Sequence, residues 1–121
     1  MIEGKIFFMK WMLVFLFSAG VVMIGCSKGN NMVTSVDCSG AAKSFVTDVN
    51  PIIQANCTSS GCHNSGSNNG PGALTSYQQI SNARASIRTA IANGSMPQGG
   101  SLSAAQRNAI ICWIDNGATN N

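Results

Sequence analysis

The sequence predicts an all-α domain of three to four short helices joined by long loops. Apolar residues recur at three- and four-residue spacing in separate stretches, and none shows the strict alternation of a half-buried strand. Helix start and stop signals bracket those stretches: Pro near a first turn, a Ser-x-x-Gln box, Gly after a last turn. The segments between them are rich in Gly, Ser and Asn, which favours irregular connections. There is no internal repeat.

The first 25 residues stand apart. Lys5 and Lys10 precede an uncharged apolar run from Trp11 to Ile24, the layout of a secretory signal and too short and wrongly flanked for a lasting span. Cys26 follows directly, and "VMIGC" resembles the lipobox of bacterial lipoproteins. That resemblance implies cleavage before Cys26 and a lipid on it. The protein is then exported and held by its N-terminus to a bacterial membrane, on the periplasmic or cell-surface side. The alternative is a signal that stays uncut as an anchor. Residues 26–40 are polar and read as a tether, leaving 41–121 as the domain.

Within the domain, Phe45, Val49, Ile52, Ile53 and Asn56 keep helical spacing, with Thr47 as the expected cap and Pro51 near the first turn. This helix runs into Cys57. Residues 64–72, "NSGSNNGPG", read as a mobile loop. The stretch "LTSYQQISNARASIRTAIANGS" sets Ala83, Ile87, Ala90 and Ile91 on one face, and Gly94 stops it. "MPQGGS" is a turn-rich loop. Ser103 and Gln106 then form a capping box before Ile110, Ile111, Trp113 and Ile114, with Gly117 as the end.

From Cys26 onward, Lys28, Lys43, Arg84, Arg88 and Arg107 face Asp37, Asp48 and Asp115, a net +2 that is too weak and dispersed to bind nucleic acid. The aromatics there are Phe45, Tyr77 and Trp113, and the methionines Met32 and Met96. A domain of this size buries a small core. Disulfides or a cofactor are expected to make up the difference.

The chemistry concentrates in "QANCTSSGCHNSG", where Cys57 and Cys62 bracket four small residues and His63, the single histidine, follows. Three readings compete. A structural zinc site needs four ligands, and no second Cys/His pair stands nearby. A Cys57–Cys62 disulfide suits an exported protein but leaves His63 without a role. Covalent attachment of a c-type haem uses all three residues: two thioethers fix the porphyrin, and the adjacent imidazole sits beneath the iron. The usual spacing is C-x-x-C-H; here four residues intervene, so two must bulge outward, and Gly61 gives the backbone freedom to do so. Met96, in "NGSMPQGG" between two expected helices, is the candidate ligand opposite the histidine.

With these residues in view, the chain from Phe45 to Asn121 resembles the small class I-type cytochrome c domains of exported bacterial lipoproteins. The matching pieces are "DVNPIIQANC", "GCHN", "LTSYQQI", "SMPQGGSLSAAQ" and "WIDNGATNN". The resemblance implies a cytochrome c-like fold around one covalent haem c. It implies Cys57 and Cys62 as thioether donors and His63 and Met96 as axial iron ligands. It also implies that the last helix crosses the first, with Phe45 and Trp113 as the expected contact. Cys38 and Cys112 are left over, and an even remainder in an exported chain suggests a bridge between them, the alternative being two buried thiols. Tyr77, Arg84 and Arg88 are weaker candidates for the haem propionates.

A haem with both axial positions filled has no open site for substrate. The expected function is single-electron transfer with redox partner proteins, not catalysis. A pentacoordinate haem enzyme or sensor and a haem-free, disulfide-held binding module are the rivals. Asp48 and Asp115 offer no acid/base pair, since both lie near expected helix ends.

Overall fold

The computed structural model describes residues 36–121. The signal segment 1–25, Cys26 and most of the tether lie outside the described residues. The described chain is helical with no strand, and none of its helices is long and apolar enough to cross a membrane.

The helical part opens at Ser44, whose hydroxyl accepts the Thr47 N–H while the Asp48 carboxylate accepts the Ser44 N–H at 2.8 Å. Thr47 therefore receives the cap instead of providing it. A π-helical turn, Phe45–Val49, leads straight into α1, Asn50–Cys57. Pro51 explains the wide turn. It has no N–H, and its ring would press on the carbonyl four residues back. Letting the Asn50 N–H reach back to the Phe45 carbonyl moves Pro51 into the first turn of α1, where no donor is needed.

The second amphipathic stretch resolves into two helices, α2 (Tyr77–Asn82) and α3 (Arg84–Ala92). A capping box of Ser76 and Gln79 starts α2. Ala83, with φ −85° and ψ −1°, forms the joint, and Arg84 Nη1 donates to the Ser81 carbonyl there at 2.8 Å. Ser81 and Asn82 before the joint are residue types that compete with helical backbone bonds. Gly94, at φ +73°, ends α3 where the sequence expects a stop. The last helix, α4 (Ala104–Asp115), starts on the expected Ser103–Gln106 box.

Helix α4 packs against the π-turn and α3. Val49, Ile53, Ile80, Ile110, Ile111 and Trp113 are all but inaccessible. Phe45 and Trp113 meet with ring centroids 5.4 Å apart, and Tyr77 joins Phe45 edge-on at 5.1 Å. After α4 the chain folds back: Tyr77 Oη donates to the Ala118 carbonyl at 2.9 Å, and Trp113 Nε1 to Thr119 O at 2.8 Å. Cys38 and Cys112 form a disulfide with Cα atoms 5.3 Å apart. Val36 packs on the core beside it, so the end of the expected tether is fastened to the domain.

Candidate functional site

A cleft of about 440 Å³ is lined mainly by apolar side chains of α1, α3 and two loops, a volume in the range of small-molecule and cofactor sites. Ile53, Leu74, Ile87 and Ile91 form its walls. Cys57, Cys62, His63 and Met96 all line it, although they span positions 57 to 96 of the chain. All four residues expected from the sequence thus come together.

Each is placed by local chemistry. Cys57 is the last residue of α1, and the His63 N–H donates to its carbonyl at 3.0 Å, closing the loop between them. Gly61, the last of the four intervening residues, takes φ +82°, a left-handed backbone that glycine accepts without strain. Residues 64–72, expected as a mobile loop, are hydrogen-bonded back onto the motif. Asn69 Nδ2 donates to the Gly61 and Cys62 carbonyls at 2.8 and 3.1 Å, and Ser67 Oγ to the Cys62 carbonyl.

His63 is buried. Its Nδ1 lies 2.8 Å from the Gly72 carbonyl, a contact that the Nδ1–H tautomer satisfies. In that tautomer Nε2 carries the lone pair and has no hydrogen-bond partner among the described residues. Gly70 runs close to the ring; a Cβ there would lie 3.8 Å from His63 Cε1. Sequence reasoning missed these supports, though the positive-φ glycines of "NNGPG" were the signal for a tight fold-back.

Met96 enters from the C-terminal end of α3. Its N–H donates to the Ala90 carbonyl at 3.2 Å, and Asn93 Oδ1 accepts the Ser95 N–H at 2.9 Å. This cap turns the chain back along the helix it has just left.

Cys57 and Cys62 are both free thiols, so the local bridge is not the arrangement found. Burial, and then the neighbouring Cys62, push the Cys57 thiol above its ordinary range. No group of three His, Cys, Asp or Glu among the described residues is disposed to hold a bare metal ion. Tyr77, Arg84 and Arg88 do not line the cleft. Tyr77 is spent on Ala118 and Arg84 on Ser81, while Arg88 forms a two-pronged pair with Asp115 at 2.6 and 2.9 Å. Asp48 caps the π-turn. The expected propionate partners are therefore engaged elsewhere.

Comparison with protein-family models, curated proteins and solved structures returns no match to this chain. The site has to be read from its own chemistry. Two thiols, one imidazole with a free Nε2 and one thioether converge on an apolar cleft. That donor set fits a covalently held haem and is ill suited to a hard cation, which takes oxygen ligands.

Proposed function

We propose that the chain is an exported, lipid-anchored monohaem c-type cytochrome that carries single electrons. What supports the reading is the meeting of Cys57, Cys62, His63 and Met96 on one apolar cleft. Cys57 and Cys62 would hold the haem by thioether bonds, and His63 Nε2 and Met96 Sδ would ligate its iron. When bound, the haem supplies a one-electron iron couple. The Gly72 carbonyl fixes the His63 tautomer and ring orientation, and the apolar walls of the cleft would border the haem. With His63 and Met96 both ligating the iron, the protein would leave no ligand position for a substrate, so the role we propose is electron transfer. Lipid on Cys26 would keep the domain at a membrane surface, facing its redox partners.

The test is the mass of the mature protein made in a host with haem-attachment machinery. One added haem that survives denaturation is expected. Unmodified mass, or haem lost to acid acetone, overturns the reading. The Cys38–Cys112 bridge favours one second reading, a haem-free binding module, because it closes the domain without any cofactor. The same mass measurement separates the two.

A further inference from the structure

Beside the main cleft lies a second hollow of about 350 Å³, lined by Pro71, Ala73, Gln79, Asn82, Ala83 and Ser86. Pro71 and Ser86 line both cavities, so the two abut. Where the cleft is apolar, this hollow presents amide and hydroxyl groups. We infer that it is the subsite for the carboxylate-bearing edge of the haem, an assignment that rests on the function proposed above.

The hydrogen bonds around the hollow fix which way its amides face. Gln79 Oε1 accepts from the Thr75 N–H, the Thr75 hydroxyl and the Ser76 N–H at 3.0, 3.0 and 3.1 Å. With its oxygen committed to the start of α2, Gln79 has only its Nε2 donors left for the hollow. Asn82 Oδ1 accepts from Gln78 Nε2 at 3.0 Å, which likewise leaves Nδ2 as a donor. The Ser86 hydroxyl has no hydrogen-bond partner among the described residues. Three groups with hydrogens to give thus border one hollow. The matching ligand is an acceptor with no hydrogens of its own, which describes an ionised carboxylate. Haem carries two carboxylates on one edge, and no cationic side chain among the described residues lines the main cleft to receive them.

The lining of the hollow contains no titratable group. His63, Cys57 and Cys62 face the adjoining cleft, Arg84 is held at the Ser81 carbonyl and Arg88 at Asp115. Donors around a carboxylate favour its charged form. A propionate held here stays ionised to lower pH than an exposed one, and the reduction potential then changes little with pH near neutrality.

Gln79→Glu together with Asn82→Asp tests this cleanly. Each new carboxylate keeps the oxygen that caps α2 or accepts from Gln78, but loses the amide donor. Two or more carboxylates then share the hollow, and one retains a proton near neutral pH. The measurement is the midpoint potential of the haem-loaded protein by spectroelectrochemistry from pH 5 to 8. The parent is expected to be flat, and the double variant to fall in potential as pH rises, because losing the proton favours ferric iron. Ala105→Glu, at an exposed position of α4 outside both cavities, adds charge elsewhere and should stay flat. A flat double variant, a parent that already titrates in this range, or a titrating Ala105→Glu control overturns the subsite while leaving the haem reading intact. Protein that carries no covalent haem overturns both.

Discussion

The two sides of this small domain contrast sharply. On one, Phe45, Tyr77 and Trp113 pack together, the Cys38–Cys112 bridge clamps the chain to α4, and the backbone after α4 returns to accept from Tyr77 and Trp113. Every described aromatic ring lies on this closed side. On the other, isoleucines, a leucine and small residues surround an open cleft that holds two thiols, an imidazole and a thioether. The closed side buries Phe45 and Trp113 and pairs the Tyr77 hydroxyl and the Trp113 indole N–H with backbone carbonyls. The open side keeps apolar surface uncovered and a ring nitrogen unpaired.

The largest expected effect comes from the closed side. Trp113→Ala should cost about 3–5 kcal/mol, a large share of a small domain's stability. Ile87→Ala, on the cleft wall, removes a side chain that already borders empty space and should cost about 2 kcal/mol, the low end for such changes. Denaturant unfolding of the haem-free proteins measures both. Equal costs would break the contrast.

The bridge comes next. Cys38→Ser with Cys112→Ser opens a loop whose ends are 74 positions apart, worth about 4 kcal/mol at most in the chain-entropy account. The midpoint of unfolding should fall, while the haem mass stays unchanged. Loss of haem in this variant would mean that the two sides are not separable.

Met96→Ala should do the opposite. Met96 is half-buried in a loop and contributes little to the interior, so unfolding should shift little. In haem-loaded protein the variant should lose the weak far-red sulfur-to-iron absorption band and fall in potential. A spectrum identical to the parent's would leave Met96 as packing alone.

The smallest effect is expected from Asp115→Asn. The Arg88 guanidinium holds the Asp115 carboxyl below its ordinary range. A depressed carboxyl stabilises the fold above its unfolded value of about 3.9 and loses that contribution as pH falls through the folded one. Parent and variant should therefore differ in melting temperature by a small, constant amount above about pH 5 and converge in stronger acid. The pair is exposed, so added salt should shrink the difference. A difference that grows in acid would contradict the pairing.

The sequence expected a core short of aromatics to need disulfides or a cofactor, and the Cys38–Cys112 bridge is present. The interior is built largely from isoleucine, with Ile80, Ile110 and Ile111 fully buried in one cluster with Trp113. A count of aromatic rings underestimates an interior assembled from branched aliphatics, which pack as densely. The move of the cap from Thr47 to Ser44 has a similarly local cause: Pro51 widens the preceding turn, and the helical start shifts upstream to accommodate it.

By itself the sequence determined what lies within a few residues of each signal. The Ser103–Gln106 box, the stops at Gly94 and Gly117 and the left-handed Gly61 follow from bonds and steric limits spanning at most one helical turn. It also supplied the cluster of Cys57, Cys62 and His63, because those residues are neighbours in the chain. Only the tertiary structure decided that Met96 shares their cleft, that Arg88 turns away to Asp115, and that Gln79, Asn82 and Ser86 border one hollow with their donors free. Those placements depend on how α3 packs against α4 and faces α1 across the cleft. That packing is set by the summed burial of Ile53, Ile87, Ile91 and Ile110, residues far apart in the chain, and no local bond encodes it.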